Sequence, residues 1–378
     1  MKSTREKPIE AGMTLRLELP RWYDLHAHFR QGGLMKALVA DHLAMGCAGI
    51  LAMPNTKPPV SKVHKKDPGD GWSIEEYLQM LRKAGGSRFT DIIVPLYLTK
   101  DTTPAMIEAG VKSGVLRAAK YYPPHGTTGA EQGAPFQTYI DNGVFKAMEQ
   151  AGVVLNIHGE EHGLDAVKYF GETNAEEIFY RERLPHAVDK FPRLRIVGEH
   201  ITTRVAAEFI EAGPSTLAAT VTPQHLIYTV GHLLKGLKYH LYCLPLLKYE
   251  EDRLALWAEV TAADNTKFFA GTDSAPHVKK LTECGCAAGC YTGGVAPQLY
   301  IQAFEKAGIN MGSEAGVQMF TKFLCTNGPA FYGLPVSKET FVLEKVETEV
   351  KVGKSGVVPL PLGAAADGEE ATLHWRVA

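Results

Sequence analysis

Apolar residues along this chain fall into eight short runs, and nearly every run is followed by a stretch with a helical pattern. The runs are largely continuous rather than alternating, which is typical of parallel strands buried on both faces. They lie at residues 23–30, 48–53, 92–98, 115–122, 153–159, 194–200, 217–222 and 267–273. Regular alternation of strand and helix favours a parallel sheet, and eight such units predict an α/β fold of the closed (β/α)8 TIM-barrel type.

Helix signals lie between the predicted strands. Ser73 and Glu76 have the spacing of a capping box, which predicts a helix that begins at Ile74. Thr202 is the expected cap of a later helix that ends near Gly213. The predicted helices cover about residues 34–45, 74–84, 104 onward, 139–151, 175–190, 203–213, 251–263 and 295–333.

The two ends of the chain differ in pattern from its middle. Residues 1–12 are polar and of mixed charge, and we expect a disordered extension there. Residues 13–336 form the predicted barrel domain, with an insertion at about 223–250. Residues 337–378 contain short β-rich pieces and predict a small C-terminal β appendage, with an ill-ordered part at 363–370.

Composition argues against several classes of function. The 378 residues are 45% hydrophobic and 22% charged with a net charge of −2, so no basic surface is expected to bind nucleic acid or an anionic membrane. No apolar run reaches transmembrane length, and the N-terminal stretch lacks the apolar core of a secretory signal. We therefore expect a cytoplasmic protein whose partner is a small molecule.

Six cysteines are present, and Cys284, Cys286 and Cys290 lie close together in the sequence. A secreted disulfide framework does not suit a chain this long with so few cysteines. Three thiols without a fourth ligand make an incomplete structural metal site. A reduced, tightly turned loop is therefore the favoured interpretation, with a metal site as the alternative.

The chemistry of the chain is concentrated where its predicted strands end. In a barrel of this type the functional site lies at the carboxyl ends of the strands. Residues able to bind metal or substrate occupy those ends: His26, His28, Asn55, Lys120, His158, His200 and Asp273. One such histidine alone is more often a core residue than a ligand, but the whole set at one level predicts a metal centre.

The ligand types favour a pair of zinc ions. His26 and His28 are two residues apart on one strand, so both side chains leave from the same face and can hold one cation. Imidazoles with one carboxylate suit zinc. Four histidines together with Asp273 exceed the three protein ligands of an ordinary catalytic zinc, which favours two metals.

Lys120 is the candidate for a missing negative charge. Two zinc ions would carry four positive charges, whereas Asp273 is the one anionic residue among the strand-end ligands. Lys120 could supply a bridging anion if its amine added carbon dioxide to form a carbamate. Apolar neighbours such as Leu116 and Ala119 would lower the pKa of the amine and favour that reaction. A surface lysine at a strand end is the alternative.

Longer motifs give the chain a family resemblance. They lie at residues 26–30, 53–59, 118–123, 127–128, 158–160, 199–203, 222–225, 241–245, 271–277, 284–287 and 327–329. These motifs occur in order along nearly the whole chain. In them the protein resembles the dihydroorotases of the amidohydrolase superfamily, in their shorter zinc-dependent bacterial form. Gly-Thr-Asp-Ser-Ala-Pro-His at 271–277 is the most specific of them.

The resemblance implies an enzyme that interconverts dihydroorotate and N-carbamoyl-aspartate in pyrimidine biosynthesis. Two zinc ions would be bridged by Lys120, as N6-carboxylysine, and by a hydroxide. The hydroxide would attack the ring amide carbon, with Asp273 as general base and then general acid. A homodimer is also implied. The implied ligands are His26, His28 and Asp273 for one zinc, and His158 and His200 for the other.

The resemblance also implies the substrate contacts. Arg30, Asn55 and His277 would bind the substrate carboxylate, for which a guanidinium fork is well suited. Main-chain groups of Leu244 and Ala287 would hold the amide edges of the ring, with Ala288 as the alternative because one alanine looks inserted there. The remaining implied residues are His28, Phe29 and His158 at the substrate, and Thr127 and Thr128 on a mobile loop that closes over it.

Two other functions stay open on the sequence alone. A hydantoinase or allantoinase would share the barrel and the metals, but a neutral hydantoin would not need Arg30, Asn55 and His277. A catalytically inactive scaffold would share the fold alone, although every ligand is present here. Metal content and turnover of dihydroorotate separate the three possibilities.

Overall fold

The computed structural model describes residues 14–283, 285–365 and 371–378. The extension predicted at 1–12, the thiol of Cys284 and most of the segment predicted to be ill-ordered lie outside the described residues. Within them, the predicted α/β barrel is confirmed.

Eight parallel strands form the barrel, and each overlaps the run predicted for it. They are β1 (Trp22–Ala27), β2 (Cys47–Ala52), β3 (Asp91–Ile93 with Leu96–Tyr97), β4 (Ala118–Tyr121), β5 (Val154–His158), β6 (Ile196–Glu199), β7 (Leu217–Val221) and β8 (Phe268–Ala270). Neighbours in the chain are neighbours in the sheet throughout. β3 is interrupted at Pro95, which has no N–H to give to an adjacent strand.

The ring closes between β8 and β1. Asp273 N–H donates to His26 O at 2.8 Å, and His28 N–H donates to Ser274 O at 3.1 Å. Ala27 and Ser274 form a parallel bridge at the same place. Closure therefore sets Asp273 beside His28 although 245 positions separate them in the chain.

Helices cover the outside of the ring. Those of eight or more residues are Leu34–Ala44, Ile74–Lys83, Pro104–Lys112, Val144–Ala151, Arg204–Ala212, Glu250–Val260, Ala296–Lys306 and Glu314–Thr321. Shorter ones are Phe136–Asp141, Ala166–Tyr169, Ala175–Ile178, Leu184–Lys190, Pro223–Ile227, Val230–Leu234 and Asn327–Tyr332. Single turns of 3-10 type lie at Gly86–Arg88, Tyr239–Leu241 and Leu362–Ala364, and wider π turns at Phe179–Arg183 and Lys322–Thr326.

Two predicted helices are interrupted. The helix predicted at 139–151 is two helices, because Gly143 between them adopts a left-handed φ of 85°. The helix predicted at 175–190 contains the π turn Phe179–Arg183, since Pro185 offers no N–H to the turn that precedes it. Both departures come from single residues whose backbone cannot continue a regular helix.

The helix cap predicted at Thr202 is wrong by one residue. Thr203 caps Arg204–Ala212, and its side chain accepts a hydrogen bond from Ala206 N–H. Glu176 explains the shift, because its buried carboxylate accepts the N–H and the hydroxyl of both threonines, each at 2.8 Å. Four hydrogen bonds from one carboxylate thus hold the segment that follows His200.

A small sheet joins the two ends of the described chain. Arg16–Pro20 pairs antiparallel with Thr340–Glu344, which in turn pairs with Arg376–Val377. A strand from the segment assigned to the barrel therefore completes the C-terminal sheet; the domain division at 336 itself stays a prediction. The remaining strands have two or three residues: Val60–Lys62, Trp72–Ser73, Leu281–Thr282, Gly285–Cys286, Thr348–Glu349 and Thr372–Leu373.

The buried side chains form a core inside the ring and a larger core around it. The inner cluster includes Tyr23, Leu25, Leu51, Val197 and Phe269. The larger cluster fills the space between strands and helices. Across the described parts of the chain, we find no helix with the length and apolarity needed to cross a membrane.

The predicted capping box is confirmed and gives a test of local stability. Ser73 Oγ accepts from Glu76 N–H at 3.1 Å, and the Glu76 carboxylate accepts from Ser73 N–H at 3.0 Å. We expect Ser73→Ala to lower the free energy of unfolding by about 1 kcal/mol, because a helix-end donor loses its acceptor. Urea unfolding measures this against Ser215→Ala, since Ser215 is exposed and lies in a turn away from this helix. Equal midpoints for the two variants would contradict the prediction.

Candidate active site

Five barrel strands bring the predicted metal ligands to one end of the barrel. Each ligand lies at or just beyond the carboxyl end of a strand, and each side chain is buried. The ligands are His26 on β1 and His28 just after it, Lys120 on β4, His158 on β5, His200 after β6 and Asp273 after β8.

The ligands form one continuous cluster. His28 Nε2 lies 2.8 Å from Asp273 Oδ1, and His26 Nε2 lies 3.3 Å from the same oxygen. The ring centroids of His26 and His200 are 4.9 Å apart, and those of His158 and His200 are 4.7 Å apart. All four predicted histidines thus surround a common space.

Two groups of residues in this cluster could each hold a metal ion. In each group the ligand atoms lie within 4.8 Å of one another. One group is His26, His28 and Asp273, the set that the family resemblance implies for one zinc. The other is His26, Glu199 and His200, which contains Glu199 and lacks the predicted ligand His158.

Two glutamates that the sequence analysis did not single out contact the predicted ligands. The Glu199 carboxylate accepts a hydrogen bond from the Lys120 ammonium, and its other oxygen lies 3.0 Å from His26 Nδ1. Glu160 Oε2 lies 2.6 Å from His158 Nε2. Each glutamate is one or two residues from a ligand in the sequence, which is the signal that could have identified it.

The carboxylates of the cluster favour a cation between them. Burial alone would lower the pKa of His26, but Glu199 and Asp273 outweigh it and raise that pKa to about 9. Burial lowers the pKa of His28 to about 4 and that of His200 well below its usual range. The Asp273 pKa stays well below its usual range despite burial, because His26 and His28 hydrogen-bond to the carboxylate. A bound metal would therefore displace the His26 proton.

The donor set fits a divalent metal such as zinc. Neutral imidazoles and an ionised carboxylate are the ligands that zinc prefers. The Nδ1 atoms of His28 and His200 are buried and have no hydrogen-bond partner among the described residues. Buried polar atoms nearly always have a partner. These two nitrogens are therefore available to bind an added group such as a metal ion.

Three site residues other than glycine adopt left-handed backbone conformations. The φ angles are 53° at Arg30, 43° at His200 and 44° at Asp273. Each such residue costs about 1–3 kcal/mol and persists where its surroundings hold it. His200 N–H donates to Thr220 Oγ1 at 2.8 Å, and Arg30 O accepts from the Tyr77 hydroxyl at 2.7 Å. The strain turns these side chains toward the site, and nothing in the sequence indicates it.

Asp24 fixes the position of the closing segment. Its buried carboxylate accepts from Thr272 N–H at 3.0 Å and from the Thr272 hydroxyl at 2.7 Å. His42 Nε2 lies 3.1 Å from Asp24 Oδ2, the oxygen that also accepts from the Thr272 hydroxyl. These contacts hold Thr272 against β1 and so place the neighbouring Asp273.

A narrow cavity opens over the cluster, and most of the predicted substrate contacts line it. Asn55 Nδ2 donates to Thr128 O at 2.9 Å, so Asn55 also holds the predicted mobile loop against the cavity. The predicted residues on its wall are His28, Arg30, Asn55, Thr127, Thr128, His158 and Leu244.

The Phe29 side chain, predicted to contact substrate, does not line the cavity. It is buried against His42, with ring centroids 4.6 Å apart. The reason is the strand-like alternation that points His28 into the site and its neighbour away from it. Any contribution of Phe29 to binding is therefore limited to its main chain.

Ala288, rather than the predicted Ala287, lines the cavity. Ala287 N–H donates instead to Lys280 O at 2.8 Å. His277 Nε2 lies 2.8 Å from Ala288 O and 3.4 Å from Arg30 Nη2. Burial lowers the pKa of His277 to about 4, so its neutral ring donates to Ala288 O and leaves the Arg30 fork free for an anion.

Tyr122 lines the cavity and was missed by the sequence analysis. Its hydroxyl is buried and has no hydrogen-bond partner within the described parts of the chain. Burial raises the pKa of the phenol well above its usual value, so the group stays protonated and can donate to a bound ligand. Its position two residues after Lys120, on the same strand face, is the signal that could have found it.

Two cysteines are next to cavity-wall residues in the chain, since Cys243 precedes Leu244 and Cys290 follows Gly289. Cys243, Cys286 and Cys290 are free thiols. Cys286 Sγ lies 3.5 Å from Tyr239 O, and Cys290 Sγ lies 3.4 Å from His240 O. The choice between a reduced loop and a metal site stays open, since Cys284 is outside the described residues.

Comparisons with known proteins agree with this geometry. No family model matches the chain. A curated relative from Halorhodospira halophila (strain DSM 244 / SL1), named dihydroorotase, is 40% identical over 370 residues, which are 96% of this chain and 98% of the relative. The crystal structure of dihydroorotase in complex with 5-fluoroorotic acid from Saccharomyces cerevisiae has a TM-score of 0.80 at 26% identity and covers 96% of this chain and 98% of that one. An L-hydantoinase (dihydropyrimidinase) from Arthrobacter aurescens has a TM-score of 0.72 at 15% identity, covers 96% of this chain and 83% of that one, and shows the fold alone.

Proposed function

The chain belongs to the dihydroorotase family of the amidohydrolase superfamily, and we propose on that basis that it interconverts dihydroorotate and N-carbamoyl-aspartate. One observation carries the proposal: Arg30 lines the same narrow cavity as His26, His28 and Asp273. Dihydroorotate is a cyclic amide with a carboxylate on its ring. Its binding site therefore needs a fixed cation for the carboxylate and hydrolytic groups for the amide within one small space.

Two zinc ions are the cofactors that we assign to the donor set. Bound zinc supplies an acidified water and polarises the carbonyl that is attacked. We assign Lys120 as a carboxylated lysine that would lie between the ions. Burial lowers the pKa of its amine, and this effect outweighs the opposite effect of Glu199. A lower pKa favours the neutral amine, which is the form that reacts with carbon dioxide. The proposed ligands are His26, His28 and Asp273 for one ion, and His158 and His200 for the other.

Asp273 is the group that we expect to move the proton. Its carboxylate is ionised and sits at the cavity wall within 3.3 Å of two histidines. It accepts the proton of the attacking water and returns it to the departing ring nitrogen, so that base and acid are one residue. Ring closure uses the same groups in reverse order, which suits an enzyme that works in both directions.

The remaining wall accounts for substrate orientation. Arg30 and Asn55 face the carboxylate, and the neutral His277 ring holds the wall behind them through Ala288 O. Main-chain groups of Leu244 and Ala288 face the amide edges of the ring. Tyr122 adds a further donor, and Thr127 and Thr128 cover the cavity from the loop.

A hydantoinase activity is the alternative, and Arg30 argues against it. A neutral hydantoin would leave this guanidinium without an anionic partner, and an unpaired buried cation is costly. A homodimer remains a prediction of the family resemblance, and a cytoplasmic location remains a prediction of the sequence pattern.

Turnover and metal content measured on one purified sample test the proposal. We expect activity on dihydroorotate and on N-carbamoyl-aspartate, with about two zinc ions per chain. A neutral hydantoin turned over faster than dihydroorotate would reverse the choice of substrate. Protein that takes up no zinc and shows no turnover would favour the inactive scaffold.

Replacement of Asp273 tests its part in proton transfer. We expect Asp273→Asn to lower kcat in both directions by about 10²–10⁴-fold, because the amide cannot take up the proton. Calorimetric binding of N-carbamoyl-aspartate, together with zinc content, controls for loss of the site. A variant that binds zinc and retains near wild-type kcat would remove this role from Asp273.

Replacement of Lys120 tests the carbamate. We expect Lys120→Ala to bind about one zinc or fewer per chain, since the anion between the ions is lost. Lys100→Ala is the matched control, because Lys100 is an exposed lysine outside the cavity. Wild-type protein labelled with 13C-bicarbonate should show a carbamate signal that the Lys120→Ala variant lacks. Full zinc content in Lys120→Ala would refute the bridge.

A further inference from the structure

A buried ammonium group outside the metal-ligand cluster joins two segments of the cavity wall. Lys280 is 6% exposed, and its Nζ atom donates to Tyr242 O at 2.7 Å and to Gly289 O. Both acceptors are neutral main-chain carbonyls. A buried cation with neutral partners contributes little to net stability, so its value to the molecule lies in what its position fixes.

The two carbonyls belong to segments that line the cavity. Tyr242 lies two residues before Leu244, and Gly289 follows Ala288. Leu244, Ala288 and Gly289 all line the cavity. Gly289 N–H also donates to Tyr242 O, at 2.9 Å. The Tyr242 carbonyl therefore receives two hydrogen bonds, and Lys280 fixes the spacing between the two segments.

Most main-chain N–H and C=O groups of residues 287–289 form hydrogen bonds with other described residues, and one N–H group does not. The hydrogen bonds are Ala287 N–H to Lys280 O, His277 Nε2–H to Ala288 O, Gly289 N–H to Tyr242 O and Lys280 Nζ–H to Gly289 O. Among the hydrogen bonds of the described residues, Ala288 N–H has no acceptor. A main-chain donor on the cavity wall that has no partner among the described residues is available to a ligand.

We propose that Lys280 is a positioning residue for recognition of the cyclic amide. It holds the segments of Leu244 and Ala288 at the separation at which their main-chain groups meet the two amide edges of the ring. The inference rests on the proposed function, from which it takes the ring as its ligand. It goes further because it assigns ring recognition to a side chain that touches neither the ring nor the metal ligands.

Lys279 provides an internal comparison for this role. It precedes Lys280 in the chain, carries the same side chain and is exposed. Local sequence does not distinguish the two lysines, whereas the structure buries one beneath the wall and leaves the other in solvent. A specific role for Lys280 therefore predicts different effects of the same substitution at adjacent positions.

Steady-state kinetics of Lys280→Met and Lys279→Met test the proposal. For Lys280→Met we expect KM for dihydroorotate to rise about tenfold, with kcat within about threefold of wild type, since two hydrogen bonds that set the wall are lost. The equilibrium constant then requires kcat/KM to fall equally in both directions. Zinc content should match wild type, Lys279→Met should behave as wild type, and Lys280→Arg should recover part of the loss because it restores donors.

Amide hydrogen exchange gives a second readout that does not depend on turnover. We expect faster exchange at residues 241–244 and 285–290 in Lys280→Met, with no change at residues 22–27 of β1. Unchanged KM together with unchanged exchange would overturn the proposal, and so would loss of zinc from Lys280→Met, which would make Lys280 part of metal binding. If wild-type protein does not turn over dihydroorotate, the proposed function fails by itself, and exchange still decides whether Lys280 holds the two segments.

Discussion

The hydrogen bond from Asp273 N–H to His26 O closes the barrel, and the active site depends on that closure. It brings the last strand against the first and so places a carboxylate between two histidines that lie far away in the chain. Asp24 reinforces the junction through Thr272. An open sheet with the same strands would keep each ligand on its strand end but would not bring the two halves of the metal site together.

Charge is the second constraint, and it follows from the first. Closure buries two carboxylates, Asp273 and Glu199, in a space from which water is largely excluded. Buried carboxylates need nearby cations. Here the protonated His26 ring and the Lys120 ammonium supply the positive charge. A divalent cation bound in this cluster would neutralise the same negative charge. The site is therefore prepared for metal by its own electrostatics as well as by its ligand types.

Part of the cavity wall consists of Ala288 and Gly289, which have little or no side chain. Residues 287–289 are held by neighbours on several sides, so their remaining polar groups are presented at fixed positions. Lys280 and His277 both act on this wall without lining the cavity. Under the proposed function, these main-chain groups would meet a ring with amide edges, and Arg30 would bind the carboxylate on that ring.

The barrel and the metal-ligand candidates could be predicted from the amino-acid sequence. Continuous apolar runs specify buried parallel strands, and ligand-type residues at their ends can be read directly because the period of a strand is local. Four features required the folded structure: Glu199 joins the cluster, Ala288 rather than Ala287 lines the cavity, the Phe29 side chain turns away, and Lys280 is the buried lysine. These features depend on contacts between segments far apart in the chain and on left-handed backbone held by those contacts. Local pattern carries no record of either, because both arise from contacts that form only in the folded chain.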